Sequence, residues 1–124
     1  MGSQQEAAVR SMLDCLFVDL DGTVDHYADD AIYHTVAWKP PVVGRDAIRA
    51  GLDQLFRLQS DYRYTIRNIA STDAVVFIEL VDAFKYDGKD MTMHWSSILE
   101  ISPAGKITGQ RDYYDMKEFE TQVG

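Results

Sequence analysis

The rhythm of apolar residues changes at Ser60, and this change constrains the fold more than any other feature of the chain. Upstream, apolar positions recur three and four apart, as on helices; downstream they alternate, as on strands buried on one face. "SQQEAAVRSMLDCLF" puts Ala8, Val9, Met12, Leu13, Leu16 and Phe17 on one helical stripe. "RDAIRAGLDQLFRLQ" (45–59) does the same with Ile48, Leu52, Leu55, Phe56 and Leu58. Between them a short helix is expected over 20–28 and a strand over "AIYHTVAW" (31–38), stopped by "KPPVVG". After Ser60 come four alternating runs: "DYRYTIRNIAST", "AVVFIELVDAFKYDG", "KDMTMHWSSILEIS" and "GKITGQRDYYDM". Turn residues at Thr72-Asp73, Asp87-Gly88-Lys89 and 103–106 separate them, and "YDGK" is a strong hairpin signal. A short helix is expected after Asp115. Helices first and hairpins later define an α+β chain, one curved, mostly antiparallel sheet with the helices on its concave side.

A length of 124 residues points to one domain, 1–124, with enough chain to bury a core. Residues 1–4, with their "MGS" start, are expected to be a tag remnant or disordered. A net charge of −8 argues against nucleic acid or an anionic membrane surface as a partner. Cys15 is the single cysteine, so no disulfide framework exists; inside a helical apolar pattern it reads as a buried structural thiol. With no signal peptide and no apolar run of spanning length, a reducing, cytoplasmic location is expected.

The run at 74–88 poses a chemical question. One face carries Ala74, Val76, Ile78, Leu80, Phe84 and Tyr86, and among them a single carboxylate, Asp82. An ionised carboxylate on an apolar face is costly unless partnered. In the next run one face holds Met91, Met93, Trp95, Ser97, Leu99 and Ile101, and the other Thr92, His94, Ser96, Ile98 and Glu100. In the last run Thr108, Gln110, Asp112 and Tyr114 share one face, and Ile107, Gly109, Arg111 and Tyr113 the other. If the apolar face of 74–86 lines a cavity, Asp82 points into it, Met93 and Trp95 wall it, and Asp112 can face Asp82. Two carboxylates in one apolar pocket have their pKa values driven apart, giving an acid and a base near neutral pH. The plainer reading is that Asp82 bonds a neighbouring Tyr or Arg at the sheet rim. His34 and His94 fall on outward faces and His26 in an exposed loop; no His and acidic spacing suggests a metal site.

"FVDLDGTV" (17–24) resembles the nucleophile loop of haloacid-dehalogenase-type phosphatases, which would make Asp19 and Asp21 its Mg²⁺-bridged aspartates. Its context argues against that. The motif needs a buried parallel strand before it, yet "RSMLDCLF" runs at helical spacing, and the later chain offers hairpins rather than βα units. A polar loop between two helices, with Gly22 permitting the turn and Asp21 or Thr23 capping the second helix, accounts for the same residues.

"AIYHTV…PPVVGRDAIRAGLDQLF", "ELVDAF" and "GKITGQRDYYDMKEFE" resemble the limonene-1,2-epoxide hydrolase branch of the SnoaL-like, nuclear-transport-factor-2-like superfamily, over about residues 6–119. The resemblance implies a cone-shaped fold with a deep apolar pocket, a homodimer packed through the outer sheet face, a small hydrophobic substrate and no cofactor or metal. It also implies catalysis by an Asp-Arg-Asp arrangement. Carried over, Asp112 is the water-activating base, Asp82 the acid that protonates the epoxide oxygen, and Tyr33 a water-positioning hydroxyl. Three positions depart from the pattern: Leu80 stands at the Arg position, Thr35 at a water-holding Asn, and Gln110 at a tryptophan. Thr35 can still bond a water. Without the Arg, the carboxylates are expected either to pair directly or to turn toward Tyr33, Tyr114 or His34; Arg111 points to the other face. The expected site is thus Asp112, Asp82 and Tyr33, with Thr35, Leu80, Met93, Trp95, Gln110 and Tyr114 around water and substrate. The same groups could serve an isomerase, cyclase or lyase of a carbonyl or hydroxy compound, or a pocket that only binds a hydrophobic ligand.

Overall fold

The computed structural model describes residues 2–124. Two helices, α1 (Ser3–Cys15) and α2 (Leu20–Asp25), precede strands β1 (Tyr27–His34) and β2 (Val42–Val43) and helix α3 (Arg45–Leu58). Strands β3 (Gln59–Ser71), β4 (Val75–Tyr86), β5 (Lys89–Ile101) and β6 (Ile107–Tyr113) follow, and α4 (Met116–Val123) closes the chain. The strands form one six-stranded sheet in the order β2-β1-β6-β5-β4-β3, antiparallel except for β1 beside β6. This is the α+β curved sheet over N-terminal helices that the pattern implied.

The apolar stripes of α1 and α3 bury against the inner sheet face. Val9, Met12 and Leu13 of α1 and Ile48 and Leu52 of α3 share one core with Val76, Ile78, Leu99 and Ile107. Each such side chain contributes about 1.5–3 kcal/mol of burial. The β4–β5 hairpin turns at Asp87-Gly88, both at positive φ (50° and 82°), the two-residue connection that Asp-Gly favours. Alternation on β4 and β5 is as read from the sequence: Val76, Ile78, Leu80, Asp82 and Phe84 are buried on one strand, Met91, Met93, Ser97, Leu99 and Ile101 on the other.

Several expectations are corrected. Of residues 1–4, expected to be a tag remnant or disordered, Ser3 and Gln4 form the first turn of α1, and Met1 lies outside the described residues. Gly2 lies so close to Ser71 that a Cβ there would clash, and the Ser71 hydroxyl bonds Glu6, which ties the start of α1 to β3. Helix α2 ends at Asp25, and β1 starts at Tyr27 and stops at His34, rather than spanning 31–38. A register shift between Tyr27 and Ile32 leaves both Asp29 and Asp30 exposed, which hides the strand's alternation. On β6 an extra residue at Thr108 shifts the phase, because Ile101 pairs with Ile107 but Glu100 with Gly109. Ile107 therefore faces the core and Thr108 solvent, the reverse of strict alternation. Asp19, not Asp21 or Thr23, caps α2, its Oδ1 accepting from the Gly22 N–H at 3.0 Å. Asp21 is ion-paired with Arg49. The segment before "DLDGT" is helix α1, so that loop lacks the strand a phosphatase would need. His26 is half-buried, its ring within hydrogen-bond distance of Gly22 O (2.7 Å) and Ser11 Oγ (3.0 Å). Cys15 is only half-buried; its thiol is pushed up by burial, then by Asp19, Asp14 and Asp25.

Helix α4 completes an open edge. β6 ends opposite Ser96, which leaves the start of β5 without a strand beside it on that side. There Glu118 accepts from the His94 N–H (2.9 Å), and Gln122 both accepts from Thr92 N–H (2.8 Å) and donates to Thr92 O (2.7 Å). No helix among the described residues is long and apolar enough to cross a membrane.

Candidate active site

Strand β4 places Asp82 two residues from Leu80 on the inner face, with 6% of its surface exposed. Two neutral donors hold it. The Trp95 indole N–H donates to Oδ1 at 2.7 Å, and the Tyr62 hydroxyl bonds the carboxylate from β3. These bonds favour the charged form, but burial outweighs them, and the carboxyl is raised from 3.8 to about 6, with Asp112 a small further push. Tyr62 is in turn pushed far up by burial and by Asp82.

Asp112, 8% exposed on β6, accepts three hydrogen bonds. Tyr33 donates to Oδ2 at 2.5 Å, while Ser97 (2.8 Å) and the Gln110 side-chain amide (3.1 Å) donate to Oδ1. Gln110 is itself fixed by the Tyr27 hydroxyl, which donates to its Oε1 at 2.6 Å. Burial raises the Asp112 carboxyl against the lowering effect of Tyr33, Gln110 and Ser97. Oδ1 has both lone pairs engaged, so Oδ2 keeps the one acceptor position open to a water or substrate.

The register separates the two acids. Asp112 lies opposite Ser97 and Asp82 opposite Met93, so β5 runs between them, and Trp95 is the inward residue that stands between. Each carboxylate turns to its own donors rather than forming a direct pair. Both nevertheless line one cavity of about 110 Å³, together with Leu80, Trp95, Ser97 and Gln110. A second cavity of about 460 Å³ adjoins it and shares Tyr33, Leu52, Leu55, Gln59, Trp95 and Asp112 as common wall. Among the described residues, no Lys, Arg or His lines either cavity. Arg111 is spent on the outer face, 3.1 Å from Glu100.

The structure brings together Asp112, Asp82, Tyr33, Leu80, Trp95 and Gln110 on one cavity, with Tyr114 on the adjoining one, its ring 4.3 Å from that of Trp95. Two expected members sit elsewhere. Thr35 follows the end of β1 and is exposed at the margin of the larger cavity, where strand alternation no longer orients it. Met93, directly opposite Asp82 on β5, is fully buried in a separate apolar cluster with Phe84, Met91 and Phe119, under α4, and lines neither cavity. Gln110, expected beside the substrate, bonds Tyr27 and Asp112. His34 lies 3.0 Å from Lys39 O, and His94 pairs with Glu118 on the outer side. Two partners of the acids, Tyr62 and Ser97, and Tyr27, which fixes Gln110, were not singled out from the sequence. Ser97 carried the same signal as Asp82, a polar residue on an otherwise apolar face. Tyr62 and Tyr27 carried none.

A family model described as "SnoaL-like domain" matches residues 9–110, and the chain belongs to that family. The match ends just before Asp112. Among solved structures, an LEH-like epoxide hydrolase from M. tuberculosis is 22% identical, with 98% of this chain and 90% of that chain covered at a TM-score of 0.83. A putative polyketide cyclase from Xanthomonas campestris pv. campestris is 20% identical, with 98% and 97% covered at 0.80. A computationally designed 17-OHP binder is 21% identical, with 94% and 96% covered at 0.83. At such identities the likeness establishes the SnoaL-like fold, which is common to a hydrolase, a putative cyclase and a binder.

Proposed function

We propose that this chain is a cofactor-independent acid/base enzyme that adds water to an epoxide on a small, largely apolar molecule. The observation that carries the reading is the pair of buried carboxylates on one cavity, each held by neutral donors on a different side of Trp95. Such a separation suits an acid and a base acting on opposite sides of a substrate. Asp112, steadied by three donors, takes a proton from water bound at its open Oδ2 position beside Tyr33. The water oxygen attacks an epoxide carbon, the C–O bond breaks, and Asp82 delivers its proton to the leaving oxygen. The product is a vicinal diol, and a proton returned from Asp112 to Asp82 through solvent resets the pair. An acid raised to about 6 is half protonated near pH 6 and still about a tenth protonated near pH 7, far more than an ordinary carboxyl, and that fraction supplies the proton for this step. The LEH-like hydrolase of the same fold supports this reading.

A second reading draws on Leu80. With no cation beside either acid, one carboxylate can carry a proton between carbons next to a carbonyl, as an isomerase, cyclase or lyase would. The chain is also proposed to work as a homodimer in the cytoplasm, paired through the outer sheet face, where Phe77 and Tyr113 are about half exposed (47% and 46%).

The test is an epoxide panel in ¹⁸O-water, run beside β,γ-unsaturated ketones in heavy water. Hydrolysis is expected to put one ¹⁸O into each diol and to fall by roughly 10²–10⁴-fold in Asp112→Asn. Deuterium exchange into ketones without diol formation would replace the first reading with the second. Neither reaction, with tight binding of apolar ligands, would make the chain a binder.

A further inference from the structure

The two adjoining cavities differ in what they offer, and the difference defines a substrate shape. The cavity that holds both acids is about 110 Å³. A 150 Å³ cavity accommodates benzene, so this space takes about four heavy atoms, the size of a three-membered ring and a water. Asp82 lines that cavity alone, whereas Asp112 and Tyr33 stand on the wall common to both. The larger space, about 460 Å³, is walled by Phe84, Tyr86, Trp95, Tyr114, Met116 and Phe119. By the same measure it holds about fifteen to twenty carbons. Among the described residues Asp112 is its one charged wall residue, and none there offers a partner to a second charged group.

We infer that the substrate is a head-and-tail molecule: a compact, terminal reacting group seated in the small cavity that Asp82 and Asp112 both line, on an unbranched or flat apolar body that fills the aromatic chamber. This rests on the acid/base reading above for the chemistry at the head, but not for the shape. A doubly substituted head needs more space beside Asp82 than the smaller cavity has. Conversely, a short molecule fills the head space and leaves the aromatic walls unused. Part of that chamber, Met116 and Phe119, belongs to α4, which makes the C-terminal helix a determinant of tail length.

Binding separates this inference from the reaction. Linear primary carboxamides from hexanamide to dodecanamide serve as inert probes, since the amide donates N–H to Asp112 and its carbonyl accepts from protonated Asp82. Trp95 fluorescence reports occupancy once the exposed Trp38 is replaced (Trp38→Phe). Affinity is expected to rise roughly three- to fourfold per methylene, and to drop at least tenfold when two methyl groups are added beside the carboxamide. Phe119→Ala is expected to weaken dodecanamide several-fold more than hexanamide, flattening the chain-length ladder. Affinity independent of chain length, or equal affinity for the dimethylated head, would overturn the inference. Because the probes do not react, a steep ladder with no epoxide turnover would leave the shape standing and remove the hydrolase reading alone.

Discussion

Asp82→Asn tests whether the carboxyl is held as described. The folded protein raises this group from 3.8 to about 6, and 6% of its surface meets water. A folded-state pKa above the unfolded one means the native state binds the proton more tightly. The stability this gives is complete below the unfolded pKa and is lost as pH rises through about 6. Two units correspond to about 3 kcal/mol between acidic and alkaline conditions. Asparagine keeps the oxygen that accepts from Trp95 and carries no charge. Its amide fits the Tyr62 hydroxyl less well, at a cost of about 1 kcal/mol. Urea unfolding of both proteins is measured at one protein concentration from pH 4 to pH 8. At pH 8 the variant is expected to be more stable by about 2 kcal/mol, a midpoint shift of about 1 M. Near pH 4 the difference should vanish or reverse. Asp112 is raised in the same direction but is present in both proteins, so it cancels in the comparison. A variant less stable than the parent at pH 8, with unchanged pH dependence, would refute the reasoning: Asp82 would then be a well-compensated anion.

Leu80→Arg places a guanidinium on the inner face two residues from Asp82, and it should pull that carboxyl below about 6, moving the alkaline limb of any activity profile to lower pH; an unmoved limb would show that the arginine turns away. Tyr33→Phe removes one of the three donors on Asp112, so the Asp112 carboxyl should rise further in a ¹³C-detected titration and the acidic limb of activity should move up with it. Phe77→Arg puts a charge on the outer face of β4, and sedimentation is expected to show loss of the proposed dimer with the pH-dependent stability of the monomer intact; a parent that sediments as a monomer, or a dimer unchanged by the substitution, would refute the proposed interface.

Much of this architecture was legible because β4 and β5 obey strict alternation over their whole lengths. The burial of Asp82 followed from that period alone, and Leu80 was placed on its face by the same count. The Asp87-Gly88 turn carried its own backbone chemistry. What failed to show did so for identifiable physical reasons. β1 was misplaced because an irregularity leaves two acids exposed side by side, which looks like a loop. The inner and outer residues at the start of β6 exchanged places because one extra residue, Thr108, inverts the phase. Met93 lines neither cavity although it lies opposite Asp82, because α4 covers it, and the docking of a helix from the far end of the chain is not written in local spacing. The donors Tyr62 and Tyr27 come from strands whose faces the sequence did not resolve.

The neutral company of the two acids is the feature on which the chemistry turns. A guanidinium between carboxylates lowers both and holds them as anions, so that an acid must recover its proton at the moment of reaction. Here indole, phenol, hydroxyl and amide donors orient the carboxyl groups without supplying charge, and burial sets their proton affinity instead. Leu80 adds apolar surface where such a charge would stand and dries the space between the acids. The cavity therefore keeps a proton on Asp82 up to about pH 6, well above the usual carboxylate range, and leaves Asp112 one open acceptor position. That combination serves a reaction in which the proton is given up to an uncharged oxygen and no anion has to be stabilised for long. Epoxide opening meets that condition. A long-lived enolate does so less well, because neither cavity offers it a cation.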